Sequence, residues 1–392
     1  MKSLRNLLMV FALIAVPAFG QELTSDINLT VLDGNGNPIS GASATITFEP
    51  TNSSASKNTS NSGSVAFRGL RPGGPYTIEV SYGSNSESLS NVSLTVGDTF
   101  RSNVTLSTGS LEEIVTVASK LNTNKDIGFS TSVSSDDISK FSSVTRDLKD
   151  FVRLNPWSVA NDASDGQDAE LSIAAGGSRT NDILVDGASY NDDFGLNASG
   201  YPGQASPINL DSIEQLNVRV APSSIEYSNF EGGVIEVVTK GGTNDFKGSV
   251  YSYDRGDSFV GDSVDGRDID QEFDDTSEGF TLGGPIIKDK AFFFVAFESN
   301  DKTTPINYGP VGSGAPFSQP ITIEQVRQIQ TDTQSIYGFD PLLYSSSNSV
   351  TNENTTLRLD FILNDDHRLQ VNYRETDSEA LRGSNSNPFN YY

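Results

Sequence analysis

Few side chains in this chain could do covalent chemistry. It contains no cysteine and a single histidine, His367. Disulfides, thiolate metal sites and multi-histidine centres are therefore excluded, and His367 has no partners with which to form a nucleophilic triad. Asp33, Asn35 and Asn37 match the start of a calcium loop, but Pro38 stands where the loop needs glycine and Ala44 where it needs a bidentate glutamate. The acidic run from Asp254 to Asp275 could offer carboxylates to calcium; its plainer reading is a solvated loop. These residues point away from an enzyme and toward no cofactor. Two stretches suit binding instead. Glu113, Ile114, Val115, Thr116 and Val117 form an apolar island in a polar segment, able to add as an extended strand to a partner's sheet edge; the alternative is a last strand of the preceding domain. The loop Tyr190 to Tyr201, with Tyr190, Asn191, Asp192, Asp193, Phe194 and Tyr201, offers polar and aromatic contacts to a ligand, or is an ordinary solvated loop.

The 392 residues carry 51 acidic against 26 basic side chains, a formal charge of −25 that disfavours nucleic acid as a partner. Lys2 and Arg5 precede the apolar run Leu7 to Val16, and Ala18-Phe19-Gly20 follows. That order predicts an export signal over residues 1–20, too short for a spanning helix. If the mature protein enters a membrane, it does so as strands.

Residues 21–108 alternate apolar and polar positions in short runs, as in Ile27-Leu29-Val31 and Tyr76-Ile78-Val80, separated by Gly-, Asn- and Pro-rich turns; a small β-sandwich is expected. Residues 109–140, holding the island Glu112–Ser119, read as a mobile linker. Residues 141–242 read as a compact α+β domain. Helical spacing falls at Leu148, Phe151 and Val152, and a capping box at Asp211–Glu214 is expected to open a short helix through Leu216. From 243 onward five strands are expected, Phe246–Tyr253, Gly279–Ile287, Ala291–Phe297, Thr355–Leu363 and Arg368–Tyr373. Long polar links alternate with tight charged turns at 288–290 and 364–366, the pattern of an outer-membrane barrel. Thr356, Arg358 and Asp360 would face a wet lumen, and Leu357, Leu359 and Phe361 lipid; a second soluble sandwich is the alternative. Five strands cannot close a barrel, so the sequence reads as the N-terminal part of something longer.

Three resemblances add to this reading. Val31–Gly41, VLDGNGNPISG, with GSVAFRGLRPGGPYTIEV at 63–80, resembles the carboxypeptidase regulatory-like (prealbumin-like) domain, which implies an accessory sandwich without peptidase activity. EEIVTVAS at 112–119 resembles the TonB box of TonB-dependent receptors. The stretches 176–193 and 210–250 are similar to their plug domain, although Ala221-Pro222 and Tyr227-Ser228 depart from the usual Gly-Pro and Tyr-Gly. With GFTLGGPIIKDKAFFFVAFE at 279–298, the whole looks most like the Oar-like branch. The resemblance implies a mainly β chain: prealbumin-like sandwich, α+β plug, and the first antiparallel strands of an incomplete transmembrane barrel of about 22 strands. It also implies outer-membrane location, surrounding lipid, an unidentified transported ligand, and coupling to TonB and its inner-membrane energising complex. The competing class is a secreted or surface-exposed adhesion or binding protein without transport.

Overall fold

In the first domain, alternation along each strand becomes two packed faces. The computed structural model describes residues 24–106, 129–143, 145–160, 170–203, 205–225, 227–259, 263–264, 267–268, 274–306, 308–315, 317–340, 347–364 and 367–381. The expected signal segment and the island Glu112–Ser119 lie outside the described residues. Strands β1 (Ser25–Asp33), β2 (Ser43–Phe48), β3 (Ser53–Asn58), β4 (Ser64–Leu70), β5 (Gly73–Tyr82), β6 (Asn85–Leu94) and β7 (Thr99–Leu106) form two sheets, ordered β4-β1-β7 and β3-β2-β5-β6. Ile27, Leu29 and Val31 of β1 meet Ile46, Phe48, Phe67, Tyr76 and Ile78 in one core. The Asp33 loop is a turn: the backbone amides of Asn35 and Asn37 donate to Asp33 Oδ1 at 2.9 and 2.8 Å. The amides of Asn37 hold the Asp33 carboxyl below the usual aspartate range.

The middle domain begins earlier than its composition suggests. β8 (Phe129–Ser134) and α1 (Ser135–Lys140) fall inside the stretch expected as linker. β8 buries only Val133 and is held by its antiparallel ladder to a neighbouring strand, so its Ser- and Thr-rich sequence conceals it. α1 starts on a capping box between Ser134 and Asp137. After α2 (Lys149–Val152) come β9 (Ser158–Ala160), β10 (Leu171–Ile173), β11 (Asp182–Val185), β12 (Ala188–Ser189), β13 (Ile213–Val220) and β14 (Gly233–Thr239). Five strands make one sheet, β12-β11-β14-β13-β8, in which β11 and β14 run parallel. Leu148, Phe151 and Val152 are buried, as their helical spacing predicted.

The expected helix at Asp211–Leu216 does not form. Asn209 caps a single 3₁₀ turn, Leu210–Ser212, by accepting from the Asp211 amide, and the chain then enters β13 at Ile213. β13 lies between β14 and β8 with seven of its eight residues buried, and that burial overrides the local capping signal. Gly232 and Gly233 permit a close approach: a Cβ at 232 would lie 2.0 Å from the Ile173 carbonyl oxygen, and one at 233 would lie 2.6 Å from Ile173 Cγ2.

Beyond Lys240 follow β15 (Lys247–Gly256), β16 (Ser263–Val264), β17 (Arg267–Asp268), β18 (Asp274–Ile287), β19 (Ala291–Pro305), β20 (Tyr308–Val311), β21 (Phe317–Thr322), α3 (Ile323–Tyr337), β22 (Ser347–Ile362) and β23 (Arg368–Leu381). β15-β18-β19-β22-β23 is an antiparallel meander without a crossover. The strands outrun the apolar stretches that announced them. β22 has 16 residues, about 50 Å at 3.3 Å per residue, against an apolar band of about 25 Å in such barrels. The polar remainder keeps its ladder without needing lipid-compatible side chains.

Candidate functional site

The meander has two unlike faces. Val250, Phe280, Leu282, Leu357, Val371 and Tyr373 are exposed on one. On the other, Asn352, Asn354, Thr356 and Arg358 are buried against the middle domain. Asn352 and Asn354 donate to the Ser206 carbonyl at 3.3 and 3.0 Å, and Arg358 Nη1 donates to the Thr239 carbonyl at 2.7 Å. Arg374 donates to the Val185 carbonyl at 2.8 Å and pairs with Asp186. Asp186 also accepts from the amide and hydroxyl of Thr239. A second cluster joins Arg146 to Asp211 at 2.6 Å and to Glu298 of the wall at 3.0 Å. Its guanidinium lies over the rings of Tyr251 and Tyr253 at 4.7 and 4.5 Å.

The loop after β12 lies toward the long-link half of the wall. It continues through Gly203, where a Cβ would lie 3.1 Å from Ser378 Cβ, to Ser206, which takes Asn352 and Asn354. It borders a recess of about 520 Å³ lined by Arg179, Asn191, Asp192, Asp193, Phe194 and Glu231, among others. Asp192 shapes the loop by accepting from the amides of Phe194 and Asn197 at 3.2 and 2.6 Å, which leaves Phe194 88 % exposed. One guanidinium, several carboxylates and an accessible ring suit a polar ligand with an apolar part.

Four of the six candidate contacts, Asn191 to Phe194, line this recess; Tyr190 and Tyr201 do not. Tyr201 is corrected to a core residue. It is 1 % exposed, its hydroxyl donates to Asp147 at 2.6 Å, and burial followed by Asp147 raises its pKa well above the usual tyrosine value. The Tyr190 ring faces the Arg374 guanidinium at 5.6 Å. Asn191 also has structural work: its amide donates to Asp182 at 2.6 Å and its oxygen accepts from the Ile183 amide at 2.7 Å. Asn191→Ala should cost about 1–3 kcal/mol by orphaning both partners, read as a lower urea midpoint. Burial holds the Asp182 carboxyl above the usual aspartate range, with Asn191 pulling against it. The folded state therefore binds that proton more tightly than the unfolded state. This contribution is present at low pH and is lost as pH rises from about 3.9 through the folded value. In the Asn191→Ala variant the loss should be larger.

Sequence reasoning did not single out the buried pair Arg219–Glu236, 2.7 Å apart on β13 and β14. The signal was available: a glutamate at the centre of the apolar run Val234–Val238, and an arginine between Val218 and Val220. Glu236 also accepts from Asn217 and Tyr227, and Arg219 reaches past the sheet to the Val96 carbonyl of the sandwich at 2.6 Å. Gln215 adds two more contacts there, to the Val96 amide and the Leu94 carbonyl. No cluster of three metal-ligating side chains occurs among the described residues, and part of the acidic run 254–275 lies outside them.

Comparison with known families matches each region in turn. Residues 26–107 match the carboxypeptidase regulatory-like domain, 123–235 the TonB-dependent receptor plug domain, and 238–311 an outer membrane beta barrel domain. These are the domains of a TonB-dependent receptor. Over 152 residues the chain is 33 % identical to the TonB-dependent transporter Oar of Myxococcus xanthus, covering 36 % of this chain and 14 % of that protein. Over 188 residues it is 28 % identical to the probable TonB-dependent siderophore receptor PirA of Acinetobacter baumannii, covering 45 % of this chain and 23 % of that one. The chain thus spans less than a quarter of either relative. Among solved structures, the outer membrane transporter YddB of Escherichia coli aligns with a TM-score of 0.47 at 11 % identity, covering 66 % of this chain and 34 % of that one. The plug and barrel matches support an outer-membrane location, and the relatives named are transporters or receptors.

Proposed function

We propose that the chain belongs to an active transporter of the outer membrane, which takes up a ligand from outside and is driven by TonB and its inner-membrane energising complex. The observation that carries this reading is the seating of the plug on the polar face of the meander while the apolar face is left outward. An adhesion protein gives no reason to turn Glu298, Arg358 and Arg374, from three strands of the wall, against a separate folded domain. In this reading the ligand binds at the recess beside Asp192 and Phe194, and the TonB box is Glu113–Val117, N-terminal to β8. An export signal over residues 1–20 brings the protein to the outer membrane, with the sandwich and TonB box on the periplasmic side.

The test is capture of the periplasmic domain of TonB by the full-length protein, extracted from outer membranes in detergent. Deleting residues 112–119 should abolish capture without changing the heat-modifiable mobility of the barrel on gels. Capture that survives the deletion would remove the TonB-box assignment, and a wild-type protein that never captures TonB would remove the transport reading.

A further inference from the structure

A cavity of about 670 Å³ lies between the sandwich and the short-turn end of the barrel wall. Asn244, which leads into β15, marks that end: its amide donates to the Pro50 carbonyl of the sandwich, and its side chain is paired with Asp289 of the first short turn. In a chain of net charge −25 the lining is unusually cationic, with Arg68 and Arg71 from the sandwich and Arg358 and Arg368 from the wall. Asp186 and Asp360 also border the cavity, but both are engaged. Arg358 holds Asp360 at 2.9 Å, and Arg374 with Thr239 holds Asp186.

Arg71 is the informative residue. Its guanidinium stacks on Phe48 at 5.3 Å, packs over Gly241, and has a buried Nε without an acceptor. Among the described residues no carboxylate lies within ion-pair distance of Arg68, Arg71 or Arg368. Burial, then the Arg358 charge, hold Arg71 below the ordinary arginine value. Arg358 spends its own donors on Asp360 and the Thr239 carbonyl, and the charges of Asp360 and Glu214 oppose that lowering from beyond ion-pair distance, so a guanidinium kept from water here is costly unless an anion joins it.

We propose that this cavity binds a phosphate group, carried by a phospholipid of the periplasmic leaflet or by a soluble phosphate compound. Guanidinium groups present paired N–H donors that match phosphate oxygens, and two or more converging on one oxyanion group supply the charge that Asp186 and Asp360 no longer offer. Phe361 and Leu369, paired across β22 and β23 on the outward apolar face, lie in the same lining, which gives a lipid's acyl chain an apolar path and favours that source. The level of the cavity agrees, because short turns of such barrels sit at the periplasmic headgroup region. The lipid source rests on the barrel reading; the anion site does not.

Native mass spectrometry of the full-length protein in detergent tests this, with phosphatidylglycerol, diacylglycerol and inorganic phosphate as probes. Retention of phosphatidylglycerol over diacylglycerol, reduced about tenfold by Arg71→Gln and partly restored by Arg71→Lys, is the expected result. Arg368→Gln, at the exposed lip, should weaken retention without touching the core, so a folding defect at Arg71 would not hide the effect. If inorganic phosphate binds alone and displaces the lipid, the site stands with a soluble phosphate as its source. Equal retention of phosphatidylglycerol and diacylglycerol, or retention indifferent to Arg71→Gln in a protein of unchanged melting temperature, overturns the proposal.

Discussion

Val115→Pro should lower capture of TonB by the full-length protein at least about 100-fold. Val115 is the centre of the five-residue stretch Glu113–Val117, and a segment this short gains its affinity from main-chain bonds to the edge of the partner's sheet. Proline removes one donor, fixes φ near −65°, and pushes the preceding Ile114 out of the conformations that a straight ladder needs. The loss is therefore not one bond but the register of the residues on both sides. Val115→Thr, which keeps the β-branched shape and the amide, should lose less than about tenfold. Direct binding of the TonB periplasmic domain to immobilised receptor separates the two variants. If Val115→Pro binds as tightly as wild type, the pairing strand lies elsewhere in the chain and Glu113–Val117 returns to its structural alternative, a final strand of the sandwich.

What the sequence revealed depended on whether a residue's role was local. Ile27, Leu29 and Val31 declare a half-buried strand by alternation alone, and the sandwich follows from several such runs with turn residues between them. The barrel strands were legible where Leu357 and Phe361 alternate with Arg358 and Asp360. Their polar extensions were not, since Asn348 and Asn352 pair through backbone and leave no hydrophobic signature. α3 is hidden inside a long polar link, although Thr322 and Gln325 form a capping box at its start and Gly338 closes it with φ 75°. At Asp211–Glu214 the same kind of motif misled, because burial of Ile213–Val220 between two strands outweighs a capping preference worth about 1 kcal/mol. The loop 190–201 stands out by its polar and aromatic composition, and its residues Asn191 to Phe194 border the recess. Tyr201 was misplaced because an aromatic in that loop reads the same whether it faces solvent or the core. Contacts between domains, such as Arg219 to Val96 and Arg358 to Thr239, join positions more than a hundred residues apart, and no local pattern encodes them.

Glu236→Ala should destabilise the plug by about 3–5 kcal/mol, the usual cost of leaving one member of a buried ion pair alone. Arg219 is 4 % exposed and Glu236 6 %. Burial alone would lower the Arg219 guanidinium, yet Glu236, together with Tyr227 and Asp98 beside it, outweighs that and raises it. Removing the carboxylate strands Arg219 Nε, the Asn217 amide and the Tyr227 hydroxyl, all of which now donate to it. Asp98 cannot take over from where it stands, 3.9 Å from Arg219 Nη1. The readout is Trp157, whose share of the emission is isolated by subtracting that of a Trp157→Phe variant. It stacks on Phe129 at 5.8 Å, and Phe129 pairs with Val220 at the end of β13, so its fluorescence follows the sheet that carries the pair. The urea midpoint should fall by more than about 1 M. Replacing both residues with Met and Leu should recover most of the loss, because an apolar pair of similar volume often costs little in a buried site. Arg219 is also a tether, however, through the Val96 carbonyl of the sandwich. The double variant should thus regain plug stability while the sandwich is cut from the plug faster by protease. A double variant as unstable as Glu236→Ala would mean that the pair contributes through geometry that apolar side chains cannot supply, and that strand β13 depends on the sandwich for its place in the sheet.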